Sequence, residues 1–271
     1  MNNNKPGVKA LAFDLETSPY TAMTWGTFNQ YIAPNQILKN RSILCASWSW
    51  IDPKDFSFTE PVNISVADFP KKFRKDPYDD SEVVAVMNEV LTEADVYIYH
   101  NGDKFDIKVY NTSALCNDLD PLPYKPSIDT LKILRRRFAF PTNKLDYVAQ
   151  RLGIGGKIET GGMALWEETA INANPEAAHH LSIYCNNDVE ILSQLYFRIR
   201  AWDHKHPAFN LISGEGDACP TCTETGYLKT NPSWVHNAVT RQYPRYRCTN
   251  CGSWTRSTES IKDHKAKFRR I

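Results

Sequence analysis

The sequence predicts an α/β fold, in which helices flank a mixed β-sheet, followed by a small C-terminal module held together by cysteines. Three observations predict it. Runs of β-branched and aromatic residues come first and amphipathic runs come later, with one short apolar strand between the helices. Two Cys-x-x-C pairs follow, after a polar stretch without periodicity. We therefore expect a main domain over residues 1–202, a linker over 203–218 and the module over 219–271.

The first part of the chain is predicted to be mostly strand. Residues 8–14 form an apolar run that ends in an acidic residue, and segments 21–32 and 43–51 are rich in β-branched and aromatic residues. A further strand over 56–60 follows the turn-forming sequence IDPKD. These segments should supply one side of the sheet.

The rest of the main domain is predicted to be mostly helical. The strand VYIYH leads through the turn NGDKF into a helix, and a later short strand leads into a helix that Asp129 or Thr130 could cap. Glycines end the next helix. The predicted helices lie at 81–94, at 108–116, within 127–138, at 143–156 and at 175–202.

Composition and size are typical of a folded protein. A chain of 271 residues with 42% hydrophobic and 12% aromatic content can bury one substantial core and carry a small accessory module. The N-terminus lacks a cationic segment followed by an apolar one, and no apolar stretch approaches 18 residues. We therefore expect a cytoplasmic protein without membrane association.

Four acidic residues and one tyrosine lie in settings that favour metal binding. Asp14 and Glu16 are two residues apart on a predicted strand, so both point to one face. Tyr184 and Asp188 are four residues apart on a predicted helix, and Asp106 follows the turn after VYIYH. Crowded carboxylates need cations between them, and hard cations prefer oxygen ligands. Two such ions about 3.5–4 Å apart form a centre for phosphoryl transfer, which indicates a nuclease.

Three motifs resemble those of a known family. FDLET, then Asn-x-x-x-Phe-Asp, then Tyr-x-x-x-Asp are similar to the three exonuclease motifs of the DEDD (DnaQ-like) 3′–5′ exonucleases, which have a ribonuclease H-like fold. The resemblance covers roughly residues 7–202. Tyr184 marks the tyrosine branch (DEDDy), because the histidine branch would have histidine where this chain has Ile183.

The resemblance implies a role for each motif residue. Asp14, Glu16 and Asp188 would hold one metal tightly, Asp14 would bridge to a second, and Asp106 would be the outer carboxylate. Tyr184 would orient the attacking water. Two Mg²⁺ or Mn²⁺ ions per active site are expected, since these ions suit oxygen ligands.

Three further residues are candidates for contact with the nucleic acid. Thr17 follows Glu16 and could hold the terminal nucleotide, while Asn101 and Lys144 could contact the strand; ordinary turn and capping roles explain each nearly as well. Asp103 is the main rival to Asp106 as the motif carboxylate. The basic clusters 71–75 and 135–137 are more typical of solvated faces.

The cysteines of the module predict a structural zinc site. Cys219, Cys222, Cys248 and Cys251 form two Cys-x-x-C pairs, and four thiolates leave no open coordination position. A redox dithiol and unpaired thiols are the alternatives. We therefore expect a zinc ribbon. The remaining cysteines, predicted to be free thiols, are Cys45, Cys116 and Cys185.

Charge is uneven along the chain. From Cys219 onward there are ten Lys and Arg against three Asp and Glu, a net charge of +7, which leaves −6 for the preceding 218 residues. A basic module with a basic tail suits a polyanionic partner. Arg241, Arg245 and Arg247 are the predicted phosphate contacts, while the aromatic residues of the module could stack on bases or form its core.

The leading hypothesis is a metal-dependent 3′–5′ exonuclease that releases nucleoside monophosphates from single-stranded ends, with DNA favoured over RNA. Replication or repair proteins are candidate partners, and the residues define no oligomeric state. One alternative is a nucleic-acid-binding adaptor whose zinc ribbon is the working part and whose nuclease domain is degenerate. Another is a structure-selective endonuclease on the same fold.

Overall fold

The computed structural model describes residues 7–261 apart from residues 157, 227 and 239. The basic tail predicted at the end of the module lies outside these residues from residue 262 onward. The strands are β1 (Ala10–Thr17), β2 (Thr21–Ala22), β3 (Ile37–Lys39), β4 (Ile43–Asp52), β5 (Ser57–Phe58), β6 (Val62–Ser65), β7 (Val96–Tyr99), β8 (Ser127–Asp129), β9 (Leu228–Asn237), β10 (Gln242–Cys248) and β11 (Trp254–Arg256). The helices are α1 (Pro70–Lys75), α2 (Ser81–Glu93), α3 (Asp106–Cys116), α4 (Thr130–Arg137), α5 (Leu145–Leu152), α6 (Met163–Ala170), α7 (Pro175–Ile199) and α8 (Phe209–Ile212).

The main sheet is mixed, as the sequence predicts. Its strand order is β5-β4-β1-β7-β8, and β6 also pairs with β4. β4 runs antiparallel to β1, β5 and β6, whereas β1, β7 and β8 run parallel to one another. Parallel neighbours need long crossover connections, and α3 supplies the one between β7 and β8.

Alternate residues of β1 enter two different hydrophobic clusters. Leu11, Phe13 and Leu15 pack into one, and Ala10 and Ala12 into the other. This alternation follows from the two-residue period of an extended chain. Asp14 and Glu16 therefore continue the side of β1 that Ala10 and Ala12 occupy.

The long helix α7 packs against β4, β1 and β6. Asn174 caps it, because its side-chain oxygen accepts hydrogen bonds from the amides of Glu176 (3.0 Å) and Ala177 (3.4 Å). Pro175 fits the first helical position, where no amide hydrogen is needed. The prediction of one helix over 175–202 is confirmed, with a final 3₁₀ turn at Arg200–Trp202.

The predicted strand over 21–32 is wrong. Only Thr21–Ala22 is extended and paired, with Ile37–Lys39, and the rest is irregular. Trp25, Phe28 and Tyr31 are exposed there, so the aromatic residues that suggested a strand pack against no sheet neighbour. The strand over 56–60 shortens to two residues, and β3, β6, α1, α6 and α8 were not predicted.

The segment predicted as a linker is partly folded. Within 203–218 lies α8, and its Phe209 is fully buried in the same cluster as the second half of α7. The amide of Phe209 also donates a hydrogen bond to the carbonyl of Pro220 (2.8 Å). Within the described residues, no helix is long and apolar enough to cross a membrane.

The C-terminal module is an antiparallel sheet in the order β11-β10-β9. It attaches at the turn after β4, where Asn250 donates a hydrogen bond to the carbonyl of Lys54 (3.0 Å) and Lys54 pairs with Glu224 (3.6 Å). Ile51 of β4 pairs with Ala10, whereas Ser47 pairs with Asp14. The module therefore attaches at the opposite end of β1 from the candidate carboxylates.

Candidate functional site

Two candidate ligands project from the end of β1. Asp14 pairs with Ser47 and Glu16 with Cys45, so both belong to the regular ladder with β4. The register shifts between Glu16 and Thr17, which ends the regular pairing directly after the second carboxylate. The strand therefore holds both side chains on one face at its C-terminal end.

The third candidate ligand comes from α7. Oxygen atoms of Asp14, Glu16 and Asp188 all lie within 4.8 Å of one another, and Asp188 is only 3% exposed. Two carboxylates of β1 and one of α7, which is more than 170 positions away in sequence, thus meet at one point. Such crowding is costly without a cation, and the donor set is all oxygen. Magnesium and manganese fit this set of ligands.

Tyr184 lies one helical turn before Asp188, on the same face of α7. Its ring is mostly buried and meets the indole of Trp166 edge-on, with ring centroids 6.0 Å apart. Trp166 belongs to α6, which the sequence did not predict. The contact holds the ring of Tyr184 in place one turn before Asp188.

Asp106 opens α3 and is tied to β1. Its side chain is 2% exposed, and its Oδ1 accepts a hydrogen bond from the amide of Leu15 (3.2 Å), the residue between Asp14 and Glu16. Burial raises the pKa of Asp106 to about 7, against the lowering effect of backbone hydrogen bonds. Asp106 is not among the residues whose oxygen atoms lie within 4.8 Å of one another, and its role as the outer carboxylate stays a prediction.

The rival carboxylate Asp103 has a structural role. It forms an ion pair with Lys132 and accepts a hydrogen bond from the hydroxyl of Tyr99. The turn between β7 and α3, which contains Asp103, also depends on Gly102, since a Cβ there would overlap the ring of Tyr99. The glycine lets the turn lie flat on that ring and directs Asp106 toward β1.

Asn101 and Lys144 share a cleft with the carboxylates. This cleft of about 890 Å³ is lined by Asp14 and Asp188 together with Asn101, Lys144 and Arg135. Asn101 adopts a left-handed backbone (φ 71°), and its amide donates a hydrogen bond to Asp129 (3.0 Å). The assignment of Asn101 and Lys144 as nucleic-acid contacts stays a prediction. Thr17 is half-buried at the end of β1 and does not line this cleft.

Sequence reasoning missed two residues at the site. Arg135 was assigned to a solvated face, but it lies one turn after Leu131, and both line the cleft. The four-residue spacing between Leu131 and Arg135 was the sequence signal that could have placed both on one face of α4. The thiol of Cys185 donates a hydrogen bond to the carbonyl of Asp14 (3.5 Å), and burial raises its pKa well above the usual value. It acts as a protonated donor that holds β1 against α7.

The four module cysteines form a second cluster. All four sulfur atoms lie within 4.8 Å of one another, and the Cys219–Cys251 and Cys222–Cys248 pairs are each 3.7 Å apart. Four sulfurs at about 2.3 Å from a tetrahedral zinc would be separated by about 3.8 Å. The cluster is therefore compatible with zinc.

The two cysteine pairs have the same backbone geometry. The amides of Thr223 and Gly252, which follow the second cysteine of each pair, donate to the carbonyls of Cys219 (2.8 Å) and Cys248 (3.0 Å). Both residues have left-handed backbones, with φ of 58° and 78°. The same turn thus occurs at both Cys-x-x-C pairs, and each turn presents its two sulfur atoms to the other pair.

The predicted phosphate contacts lie on the module sheet. Arg245 and Arg247 are two residues apart on β10 and share a face, and Arg241 is exposed beside the turn that precedes β10. The guanidinium of Arg245 stacks on Trp254, 4.7 Å from the ring centroid. Tyr243 is covered in the same way by Arg256 (4.4 Å). Arginines and aromatic rings thus share one surface.

Comparison with known proteins identifies the fold family. A family model described as the RNase H superfamily matches residues 58–200. Among solved structures, the family B DNA polymerase from the hyperthermophilic archaeon Pyrobaculum calidifontis is similar, with a TM-score of 0.52 and 16% sequence identity. The match covers 80% of this chain but only 27% of the polymerase. No curated protein matches the sequence. Because the family model covers more than half of the chain, the protein belongs to the RNase H superfamily.

Proposed function

We propose that this protein is a metal-dependent 3′–5′ exonuclease that removes nucleoside monophosphates from single-stranded ends, with DNA as the favoured substrate. The observation that carries the proposal is the convergence of Asp14, Glu16 and Asp188 within 4.8 Å. Membership of the RNase H superfamily supports nuclease chemistry at this position of the sheet. The tyrosine one turn before Asp188 supports the tyrosine branch of the DEDD exonucleases.

The carboxylates would hold two Mg²⁺ or Mn²⁺ ions. Their donor atoms are all oxygen, and Asp188 is nearly fully buried, so neighbouring negative charge must be neutralised locally. When bound, two such cations supply Lewis-acid activation of the phosphate and stabilise the charge on the leaving oxygen.

The protein's own residues orient the reactants. The hydroxyl of Tyr184 would hold the attacking water by a hydrogen bond, and the contact with Trp166 keeps its ring in place. Asp106 uses one oxygen to bind the amide of Leu15, and so fixes the strand between the two β1 ligands. Asn101 and Lys144 would contact the substrate strand in the cleft that they share with Asp14.

The module would capture the strand. We propose that its four cysteines bind one structural zinc and that Arg241, Arg245 and Arg247 contact phosphates. Asn250 links the two parts, since its side chain donates both to the sulfur of Cys222 (3.8 Å) and to the carbonyl of Lys54 (3.0 Å). Loss of the metal would therefore disturb the attachment of the module.

The test is hydrolysis of end-labelled DNA and RNA in the presence of Mg²⁺ or Mn²⁺. Asp14→Ala and Asp188→Ala should each abolish release of mononucleotides. Glu190→Gln is the matched control, because Glu190 is exposed on α7 two residues from Asp188. Activity that survives both alanine substitutions would refute the proposed site.

Circular strands separate the remaining possibilities. An exonuclease leaves a closed circle intact, whereas a structure-selective endonuclease cuts it. Tight binding of single strands without any metal-dependent hydrolysis would favour an adaptor role. Matched DNA and RNA oligomers show which sugar the enzyme prefers.

A further inference from the structure

A second cleft, of about 730 Å³, lies between the segment that leads into β4 and α3. One wall includes residues 39–42, before β4, and the other runs from Lys104 along α3 to Cys116. Ser42 in the first wall accepts a hydrogen bond from the amide of Ser18 (2.9 Å), just beyond the end of β1. Phe105 in the second wall directly precedes Asp106. The cleft therefore adjoins the candidate active site.

Arg41 occupies an unusual position in this cleft. Its guanidinium lies between two aromatic rings, 5.0 Å from the centroid of Tyr20 and 5.2 Å from that of Phe105. Its Nε is buried and has no hydrogen-bond acceptor within the described part of the chain. The rings hold the charge in place, while its donors have no protein acceptor there.

Seven charged side chains line the cleft, the cations Lys39, Arg41, Lys104 and Lys108 and the acids Asp76, Asp79 and Asp80, which gives a net charge of +1. Arg41, Lys104 and Lys108 line it, and none of the three forms an ion pair with any residue that the structure describes. Asp80 is the buried acid of the cleft, and its oxygens already accept hydrogen bonds from the amide of Ile43 (3.0 Å) and from the side chains of Ser113 and Asn117. Asp76 is paired with Lys39 (3.0 Å), and Asp79 accepts a hydrogen bond from the hydroxyl of Ser81. The three acids are therefore occupied, whereas the three cations are available.

These features define the ligand chemistry. A planar guanidinium stacked on aromatic rings presents its donors to an oxyanion with two acceptor oxygens, such as a phosphodiester. Three cations along one cleft suit several linked phosphates better than a single anion, and the aromatic rings suit unpaired bases. The combination is that of a single-stranded nucleic acid site.

We propose that this cleft binds the nucleotides on the 5′ side of the scissile phosphate, with Arg41 on a backbone phosphate. This inference rests on the proposed exonuclease function, and it adds the path of the strand. The terminal nucleotide would occupy the other cleft, which contains Asp14 and Asp188. Only a strand longer than that terminal unit reaches Arg41, so Arg41 acts on long substrates alone.

The test compares a short and a long substrate. The p-nitrophenyl ester of thymidine 5′-monophosphate reaches only the carboxylates, whereas a single strand of a dozen nucleotides fills both clefts. Arg41→Ala should lower kcat/KM for the strand about tenfold, as expected for one lost charge-assisted contact, and leave hydrolysis of the ester unchanged. Arg137→Ala, which removes an exposed arginine outside the cleft, should change neither.

Binding without catalysis gives an independent readout. In EDTA, the affinity of wild-type protein for a labelled strand should fall with salt, and the slope for Arg41→Ala should be smaller by about one. If Arg41→Ala fails to fold, the exposed pair Lys104→Gln and Lys108→Gln tests the same cleft. Those variants should weaken binding of the strand and leave the ester reaction intact.

The two proposals fail in different ways. If wild type hydrolyses neither substrate, the exonuclease function is refuted, while the binding measurement in EDTA still decides the cleft. If wild type degrades both substrates and the Arg41 and lysine variants bind and degrade the strand as well as Arg137→Ala does, the strand path is refuted.

Discussion

The guanidinium of Arg200, just after α7, donates a hydrogen bond to the carbonyl of Pro53, 2.7 Å away in the turn after β4. Arg200 is 1% exposed, and its charge lies 4.1 Å from the ring centroid of Phe56. Lys54 of the same turn binds Asn250 and Glu224 of the module. The turn after β4 therefore contacts the end of α7 and the module. We call this meeting point of the main sheet, α7 and the module the joint.

Removing Arg200 should destabilise the protein. Arg200→Ala deletes the packed guanidinium and leaves the Pro53 carbonyl without its donor, so we expect the free energy of unfolding to fall by about 3 kcal/mol. Urea denaturation measures the change. The control is Arg198→Ala, since Arg198 is exposed two residues earlier. Equal stability of the two variants would show that the joint contributes little.

The cysteine cluster should hold one zinc per chain. Metal analysis of purified protein should give one equivalent, and Cys248→Ser should lose it and lower the unfolding temperature, because three thiolates bind zinc less well than four. Cys116→Ser is the matched control, since Cys116 is an exposed free thiol outside the cluster. Zinc retained at full occupancy in Cys248→Ser would contradict the assignment.

Stability should fall in mild acid because of His206. Its Nε2 lies 2.9 Å from the hydroxyl of Tyr196 and its Nδ1 lies 2.7 Å from the carbonyl of Pro207. Since a carbonyl only accepts, Nδ1 carries the proton and Nε2 accepts from Tyr196. Burial lowers the pKa of His206 from 6.5 to about 4. An unfolded chain therefore binds a proton at pH 5 that the folded chain does not, so the free energy of unfolding falls as pH falls from 6.5 to 4.

The size of this effect can be measured with one variant. The two pKa values correspond to a loss of on the order of 2 kcal/mol at pH 5, which is absent above pH 7. His206→Gln should flatten the difference between urea denaturation at neutral pH and at pH 5. His204→Gln, at an exposed position, should leave it as in wild type. An unchanged pH dependence in His206→Gln would rule out this residue as the source.

Gly102→Ala should impair both folding and activity. A Cβ at this position would overlap the ring of Tyr99, and the turn that carries Asp106 would have to move. Overpacking of this kind costs about 1–3 kcal/mol. Thermal unfolding and hydrolysis should both decline, whereas Gly216→Ala, with open space around its Cβ, should behave like wild type. Full activity in Gly102→Ala would show that the turn tolerates displacement.

Substitution of Asp106 should lower activity, whereas substitution of Asp103 should lower stability. Asp106→Asn removes a buried carboxylate whose ionised form burial disfavours, so the metal-free protein should be as stable as wild type or more so, with activity lower by about 100-fold. Asp103→Asn breaks the ion pair with Lys132 and should cost about 1 kcal/mol while leaving most activity. Thermal unfolding in EDTA and hydrolysis in Mn²⁺ measure the two effects. The reverse pattern would make Asp103 the functional residue.

The sheet and the acidic cluster were predictable because each depends on local periodicity. The two-residue period of β1 places Asp14 and Glu16 on one face, and the four-residue spacing in α7 does the same for Tyr184 and Asp188. The Cys-x-x-C spacing likewise defines two local turns. Such features need no knowledge of what packs against them.

Features that depend on distant neighbours were not predictable. The strand expected over 21–32 fails because its aromatic residues face solvent, although their composition fits a strand. Phe209 lies in a polar stretch, yet it is buried against the second half of α7. Arg41 becomes notable only when Tyr20 and Phe105, which are 85 positions apart in sequence, approach it from two sides. No local pattern contains this information.

The anchoring of the module at the Lys54 turn sets a length scale. From Asp14 back to the start of β1, and on past Ile51 to Lys54, the strands span about 20 Å at about 3.3 Å per residue. A short oligomer in the catalytic cleft would leave that turn uncovered, whereas a long one could reach both. If the proposed exonuclease function holds, removal of residues beyond 218 should slow digestion of long strands far more than that of short ones. The affinity for the strand should then fall as only the last few nucleotides remain.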